Sequence, residues 1–154
     1  MIPLVKPYIS PKEELIPAIT DVLYSGYIAE GEAAWKFEDG LRDYIGNSNL
    51  LAVQSGTAAL HIALLLLNVG TGDEVISTPM TSEPTNTVIA TTGAKVVWAD
   101  VDPSTGLLDP NSVRKKITER TKAIMLVHYA GMVCNMDEFN KISGGTGSAV
   151  MEGA

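Results

Sequence analysis

The chain has 154 residues, 45% of them hydrophobic, which is enough for one globular domain with a buried core. Its formal net charge of −7, with no extended Lys/Arg cluster, excludes nucleic acid and anionic membrane surfaces as expected partners. One cysteine and two histidines form neither a disulfide framework nor a zinc pattern, so no metal site is expected. Without a signal-peptide pattern or an apolar run that could cross a bilayer, the sequence predicts a soluble cytoplasmic protein.

The N-terminal segment predicts a helix with a defined start. Ser10 has the character of an N-cap, Pro11 suits the first helical position, and Glu13 is placed to close a capping box. The helix is expected to run to about Tyr24. Pro17 lies inside it, where the missing N–H either kinks the helix or delays its start.

A second helical pattern follows a loop bracketed by glycines. Apolar residues recur at roughly helical spacing over residues 35–45, until Gly46 ends the pattern. The preceding loop, residues 25–31, carries the aromatic side chain of Tyr27. Tyr27 either covers the edge of the core, which is the commoner role of a loop aromatic, or contacts a ligand.

A strand, a turn of small residues and a buried helix are predicted next. Ser55, Gly56 and Thr57 join the apolar run 50–53 to the apolar run 58–67. A helix that begins with such residues leaves several backbone N–H groups uncovered at the positive end of its dipole, which favours a phosphate group. Alternatively, Gly56 only permits a sharp turn and Thr57 only caps the helix.

Strands and helices alternate through the rest of the chain. This alternation favours a parallel sheet covered by helices on both faces, with ligands at the carboxyl ends of the strands. The sequence therefore predicts an α/β fold of three layers with a mainly parallel sheet. Strands are expected at 74–77, 96–99 and 122–127, and helices at 81–92, from Asp109 and Pro110 onward, and at 136–142.

The C-terminal segment has a different composition. Three glycines fall within residues 143–148, which suggests a flexible stretch after the last predicted helix.

Six short segments, each a weak signal alone, match one known family in order and spacing over nearly the whole chain. They are residues 54–60, 72–76, 93–97, 100–102, 121–124 and 127–131. Together they resemble the DegT/DnrJ/EryC1/StrS family, the pyridoxal-phosphate-dependent aminotransferases of fold type I that act on nucleotide-linked keto-sugars. The resemblance implies an incomplete large domain of this transferase fold, corresponding to the N-terminal portion of a full-length member. The expected organisation is a partial large domain over 1–142, the flexible stretch over 143–148 and a truncated strand end over 149–154.

The resemblance also implies a cofactor. In the family, the turn that matches Gly56, Thr57 and Ala58 holds the phosphate of pyridoxal 5'-phosphate, so these three are candidate cofactor-binding residues. Family members commonly have an aromatic residue, stacked on the pyridine ring, where this chain has Ser82. Ser82 is therefore a fourth candidate cofactor contact, one that lacks the usual stacking.

Two further residues are candidate substrate-binding residues on the same basis. The loop around Tyr27 resembles a family loop that reaches the active site near a dimer interface. Glu83 either meets a polar substrate or only places its charge at a helix N-terminus. Because fold-type-I sites resemble composite dimer sites, the expected partners are a nucleotide-sugar substrate and a second copy of the chain in a homodimer.

Two departures from the family pattern bear on catalysis. The family has an aspartate, which keeps the pyridine nitrogen protonated, where this chain has Gly153, and the neighbouring Glu152 would point to the opposite face of a strand. In family members the Schiff-base lysine lies beyond the residues present here, and none of the eight lysines of this chain has the expected context. No catalytic residue is therefore assigned.

The remaining reactive side chains have common structural explanations. His128 ends the most apolar predicted strand, and it either pairs with a ligand or is a hydrogen-bonded structural residue. His61 is expected to pack within its helix. Cys134 has no basic neighbour in sequence that would activate its thiol.

With the resemblance, the sequence predicts the N-terminal part of an aminotransferase for nucleotide-linked keto-sugars, of the kind that serves amino-sugar and cell-surface polysaccharide biosynthesis, inactive as this chain alone. The alternative is a non-catalytic relative that binds a phosphate-bearing ligand or a partner chain. An unrelated dinucleotide-binding domain is disfavoured because the chain lacks the Gly-x-Gly-x-x-Gly fingerprint.

Overall fold

The structure, a computed structural model, describes residues 6–153, which divide into two units between Ala52 and Val53. The first unit contains helices α1 (Lys12–Tyr24) and α2 (Glu32–Ile45). Among the described residues, no helix combines the length and the apolar composition needed to cross a bilayer.

Both helices predicted for the first unit are confirmed, but the predicted start of α1 is wrong. The N-cap is Pro11 rather than Ser10; its carbonyl accepts the Leu15 N–H at 2.9 Å, and no side chain caps the helix. Pro17 lies inside α1 without delaying its start, so the loss of one backbone hydrogen bond is tolerated there. Helix α2 ends at Gly46, whose φ of 72° costs glycine little.

The strand predicted at 50–53 is also wrong. This segment has no strand partner within residues 6–153, and side chains of α2 hold it instead. The Ala52 N–H donates to Glu38 Oε1 at 2.7 Å, and Arg42 Nη2 donates to the Leu50 carbonyl at 2.9 Å. A strand needs a neighbour to satisfy its N–H and C=O groups, and an apolar run does not show whether one is available.

A parallel sheet forms the centre of the second unit. Its strands are β1 (Glu74–Ser77), β2 (Lys95–Trp98), β3 (Thr121–Val127) and β4 (Ala149–Gly153), in the spatial order β2-β1-β3-β4. Its helices are α3 (Gly56–Leu66), α4 (Glu83–Thr91), α5 (Pro110–Lys116) and α6 (Met136–Thr146).

Helices cover both faces of this sheet. On one face, Leu64 of α3 and Ile89 of α4 belong to the same buried cluster as Met125 of β3. On the other face, Phe139 of α6 is buried in a second cluster with Ile124 of β3, together with residues of α5. The predicted three-layer α/β fold with a parallel sheet is therefore confirmed.

The glycine-rich segment 143–148 differs from its prediction. Residues 143–146 continue α6, and Gly147 ends the helix with a φ of 74°. Ser148 is buried, and its Oγ donates to the Thr121 carbonyl at 3.0 Å, which ties the start of β4 to β3. The segment is thus helix and turn rather than a flexible connection, because the buried Phe139 anchors α6 and offsets the low helix propensity of its glycines.

Glu74 is the first residue of β1, and its carboxylate is buried at the N-terminal ends of the strands. Its side chain is only 4% exposed. Oε2 accepts from Thr118 Oγ1 at 2.7 Å, while Oε1 accepts from Arg120 Nη2 at 2.8 Å and from Lys95 Nζ at 3.4 Å. The Thr118 hydrogen bond, helped by the charges of Arg120 and Lys95, lowers the pKa of Glu74 below its ordinary value of 4.5, although burial opposes this shift.

We expect Glu74 to make the stability of the fold sensitive to acid. Because its pKa is lower in the folded state, the carboxylate stabilises the fold above the unfolded-state pKa, and this contribution is lost as the pH falls through the folded-state pKa. Glu74→Gln should lower the melting temperature at pH 7 by roughly 5 °C or more, and parent and variant should converge at low pH. Thermal unfolding between pH 7 and pH 3 measures both effects.

Glu138→Gln is the matched control for this prediction. Its carboxylate pairs with Lys141 and Arg114 at the surface, where ion pairs contribute little to stability. If Glu138→Gln lost as much stability as Glu74→Gln, the role given to Glu74 would be contradicted. The same holds if the melting temperatures of the parent and Glu74→Gln differed by a constant amount at every pH.

Candidate functional site

A cavity of about 380 Å³ opens at the carboxyl ends of β3 and β4 in the second unit. The first turns of α3 and α4 form one side, and the ends of the two strands form the other. This is the edge at which a parallel sheet of this kind is expected to bind ligands. Residues that shape it include Gly56, Thr57, Ser82, His128, Tyr129 and Gly153.

The N-terminus of α3 presents two backbone donors to this cavity. Ser55 caps the helix, since its Oγ accepts the Ala58 N–H at 3.2 Å and its carbonyl accepts the Ala59 N–H at 3.0 Å. The N–H groups of Gly56 and Thr57 have no hydrogen-bond partner in the described part of the chain. They lie at the positive end of an 11-residue helix, which favours an anion.

This geometry corrects the alternative explanation of the turn. Gly56 is the first residue of α3 and has no positive φ, so no sharp turn requires it. The cap is Ser55 and not Thr57. Sequence reasoning missed this role of Ser55, although serine directly before a helical run is itself an N-cap signal. Ala58, a predicted cofactor contact, donates its N–H to the cap, whereas Gly56 and Thr57 line the cavity.

The start of α4 forms a wall rich in hydroxyl groups. Ser82 is the N-cap residue of α4, but its side chain makes no capping hydrogen bond. Thr81 Oγ1 and Thr85 Oγ1 lie 3.0 Å apart, and both residues line the cavity. Glu83 is turned along the helix instead, since its Oε1 accepts from Thr87 Oγ1 at 2.7 Å. The structure thus brings Ser82, but not the Glu83 carboxylate, to the cavity.

His128 is held on both sides of its ring. Nδ1 accepts the Cys134 N–H at 3.1 Å, and Nε2 lies 3.2 Å from Glu152 Oε2. The Cys134 Sγ donates to the Val127 carbonyl at 3.4 Å, and burial raises the pKa of this thiol. Of the two interpretations of His128, the structure supports the hydrogen-bonded structural one, and Cys134 has no activated thiolate. His61, half-buried in α3, does not line the cavity.

Ala130, in the turn Tyr129–Gly131 beside the cavity, has φ 54° and ψ 31°, a left-handed conformation that costs a non-glycine residue about 1–2 kcal/mol. We expect Ala130→Gly to raise the free energy of unfolding by about 0.5–1 kcal/mol, because glycine relieves this strain but gains entropy in the unfolded chain. Ala90→Gly, at an exposed position of α4, should instead lower it by about 1 kcal/mol. Urea unfolding of both variants tests this, and destabilisation of similar size in the two would contradict it.

Tyr27 lies in the first unit. Its side chain is 73% exposed, and its N–H donates to Ser25 Oγ at 3.0 Å. It borders a cavity of about 510 Å³ formed within that unit, together with the buried Gly31. Its assignment as a substrate contact stays a prediction.

The site geometry agrees with a comparison of the whole sequence. The model of the DegT/DnrJ/EryC1/StrS aminotransferase family matches residues 10–154. The chain belongs to this family. It spans about a third of the length of the curated relatives that it matches, 34% and 36% for two of them.

Individual known proteins are similar to this chain over most of its length. Spore coat polysaccharide biosynthesis protein SpsC of Bacillus subtilis is 39% identical over 93% of the chain and 36% of the relative. A sugar aminotransferase from Micromonospora echinospora is 34% identical with a TM-score of 0.90, over 99% of this chain and 42% of that one. NtdA of Bacillus subtilis, solved with the cofactor PMP bound, is 31% identical with a TM-score of 0.87, over 91% and 32%.

The residues of this cavity fit such a phosphate-bearing cofactor at one end only. At the phosphate end, Gly56 and Thr57 offer free N–H groups, and a Cβ at Gly56 would meet no atom within 4 Å, so the backbone is open to a ligand. No carboxylate lines the cavity within residues 6–153, and Gly153 occupies the end of β4. Gly56 and Thr57 would therefore suit the phosphate of such a cofactor, while the described residues that line the cavity include no carboxylate that would hold a pyridine nitrogen.

Proposed function

We propose that this chain is the N-terminal part of a pyridoxal-phosphate-dependent aminotransferase that acts on nucleotide-linked keto-sugars. The observation that carries this proposal is that Gly56 and Thr57 line a cavity at the carboxyl edge of the sheet and that their N–H groups have no hydrogen-bond partner within residues 6–153. Membership of the aminotransferase family supports it. A cytoplasmic location, expected from the sequence, is part of the proposal.

In this proposal the chain's own residues bind and orient the phosphate. The N–H groups of Gly56 and Thr57 donate to its oxygens, and the dipole of α3 stabilises its charge. Thr57 and Ser82 line the same cavity, and hydroxyl groups such as theirs are able to donate further hydrogen bonds. The bound cofactor would supply the electron sink that amino transfer requires.

We further propose that the chain alone binds this cofactor without catalysing amino transfer. No lysine lines the cavity in the described part of the chain, so no amine is available there to hold the cofactor or to move a proton. The lining also includes no carboxylate, among residues 6–153, that would face the ring nitrogen. Cofactor binding without turnover is therefore expected.

A second copy of the chain is the proposed protein partner. Helix α3 exposes a run of large apolar side chains, among them Leu65 at 53% and Leu66 at 77% exposure. Exposed apolar surface of this kind favours association. Light scattering should show a dimer or a larger assembly, and a monodisperse monomer at high concentration would count against this part of the proposal.

The alternative function is a non-catalytic protein that binds a phosphate-bearing ligand or a partner chain. Gly153 favours it, because a protein with no catalytic role has no need of a carboxylate at that position. The two proposals differ in what the gene encodes. A reading frame that continues past Ala154 to a strand-associated lysine favours the aminotransferase, and a stop codon directly after Ala154 favours the binding protein.

Two measurements on the purified 154-residue chain test these proposals. Titration with pyridoxal phosphate should give a saturable change in fluorescence, and no binding up to millimolar ligand would refute the phosphate site. Incubation with pyridoxal phosphate, glutamate and a keto-sugar nucleotide should give no amino sugar. Formation of an amino sugar would refute the proposed lack of turnover.

A further inference from the structure

We propose that His128 is a positioning residue of the cavity, a neutral imidazole whose two ring nitrogens join the loop after β3 to the end of β4. The inference concerns the shape of the cavity, and it rests on the proposed function only for the identity of the ligand. The ring is 16% exposed, so it lies largely within the protein.

The contacts of the ring determine its tautomer. The backbone N–H of Cys134 can only donate, so Nδ1, at 3.1 Å, must carry a lone pair. The proton of the neutral ring is therefore on Nε2, which faces the Glu152 carboxylate at 3.2 Å. A ring protonated on both nitrogens would lose the Cys134 hydrogen bond, because Nδ1 would then be a donor.

These hydrogen bonds connect three segments that meet at the cavity. The bond to Cys134 closes the loop 129–133, which includes the strained residue Ala130. The bond to Glu152 reaches β4, and the backbone N–H of His128 donates to the Gly153 carbonyl at 2.7 Å. One residue thus holds both the loop and the strand end that border the cavity.

The ring nitrogens make their hydrogen bonds on the face of the sheet opposite to α3 and α4. Cys134 belongs to the buried cluster under α5 and α6, and Glu152 pairs in register with Leu126 of that same cluster. The ring therefore acts on the cavity through the backbone that it holds rather than by direct contact of its nitrogens with a ligand. This is why we assign His128 a positioning role and no catalytic role.

Two substitutions separate the functions of the two ring nitrogens. His128→Asn places an amide oxygen near the position of Nδ1, which keeps an acceptor for the Cys134 N–H but leaves nothing at Nε2. His128→Gln places an amide N–H near Nε2, which keeps a donor for Glu152 but removes the acceptor for Cys134. Because each variant retains one bond, the two serve as matched controls for each other.

Amide hydrogen exchange of Cys134 is the first measurement. Exchange should be at least about tenfold faster in His128→Gln than in the parent, and within about threefold of the parent in His128→Asn, because only glutamine removes the acceptor. Equal protection in the parent and both variants would overturn the proposal. If a variant fails to fold, long-range ¹H–¹⁵N correlation of the histidine rings in the parent tests the tautomer instead. The proposal requires His128 to be protonated on Nε2 and not on Nδ1, and His61 serves as the internal comparison.

Ligand affinity shows whether this positioning reaches the cavity. His128→Gln should weaken pyridoxal phosphate binding by about tenfold and His128→Asn by about threefold or less, with inorganic phosphate as the second probe. Unchanged affinity in His128→Gln, together with fast Cys134 exchange, would overturn the effect on the cavity. If the parent binds neither probe, the proposed function fails, while the exchange and tautomer results still decide the role of His128.

Discussion

Gly56→Ala is expected to weaken the binding of pyridoxal phosphate by at least about tenfold while leaving the chain as stable as before or more so. Gly56 lines the cavity as the first residue of α3, and a Cβ there would meet no protein atom within 4 Å. The added methyl group would instead occupy space that a phosphate needs in order to reach the Gly56 and Thr57 N–H groups. Alanine also has the higher helix propensity, which adds up to about 1 kcal/mol of stability.

Gly144→Ala provides the matched control. Gly144 lies in α6, outside the cavity, and a Cβ there also meets nothing within 4 Å. This variant should show a similar or larger gain in stability and no change in ligand binding. Isothermal titration with pyridoxal phosphate and urea unfolding measure the two effects separately. Gly56→Ala that binds like the parent would show that the N-terminus of α3 is not the phosphate site.

The parts of the fold that the sequence predicted are those specified locally. The strand Glu74–Ser77 was predicted at its observed bounds, and Asp109 caps α5 by accepting the Asn111 N–H at 2.9 Å, as its position before Pro110 indicates. The strand predicted at 50–53 was wrong because strand formation depends on a distant neighbour. The prediction of a flexible stretch at the end of α6 was wrong because burial of the earlier turns of the helix outweighed the low helix propensity of the glycines that follow.

The candidate site also has a part that was predictable from the sequence and a part that was not. The exposed N–H groups of Gly56 and Thr57 follow from a helix that begins with small residues, and this feature was predictable. The bonds of His128 were not, because its ring partners lie 6 and 24 residues further along the chain. Cys134 meets the ring through the fold of the loop after β3, and Glu152 meets it through the pairing of β3 with β4. Interactions of this length depend on register, which one sequence does not reveal.

Register also explains why Glu152 cannot replace the carboxylate missing at position 153. Met151 is buried on the α3 and α4 face of the sheet, whereas Glu152 pairs in register with Leu126, whose side chain is on the opposite face. Since neighbouring residues of a strand point to opposite faces, Gly153 returns to the face of Met151, and it borders the cavity. The residue at 153, and not the one at 152, therefore decides whether a carboxylate faces a ligand there.

Gly153→Asp is expected to tighten the binding of pyridoxal phosphate by about 10–100-fold, because a charge-assisted hydrogen bond to a protonated ring nitrogen contributes about 1.5–3 kcal/mol. The position accommodates a side chain, since a Cβ would lie 3.6 Å from Val127 Cγ2 and 3.7 Å from the Leu126 carbonyl oxygen, which are ordinary contacts. Inorganic phosphate, which has no ring, should bind no more tightly than to the parent. Gly153→Asn has nearly the same shape without the charge and should give little of the gain. Equal gains from Asp and Asn, or a gain for inorganic phosphate as well, would mean that the ring nitrogen does not face β4.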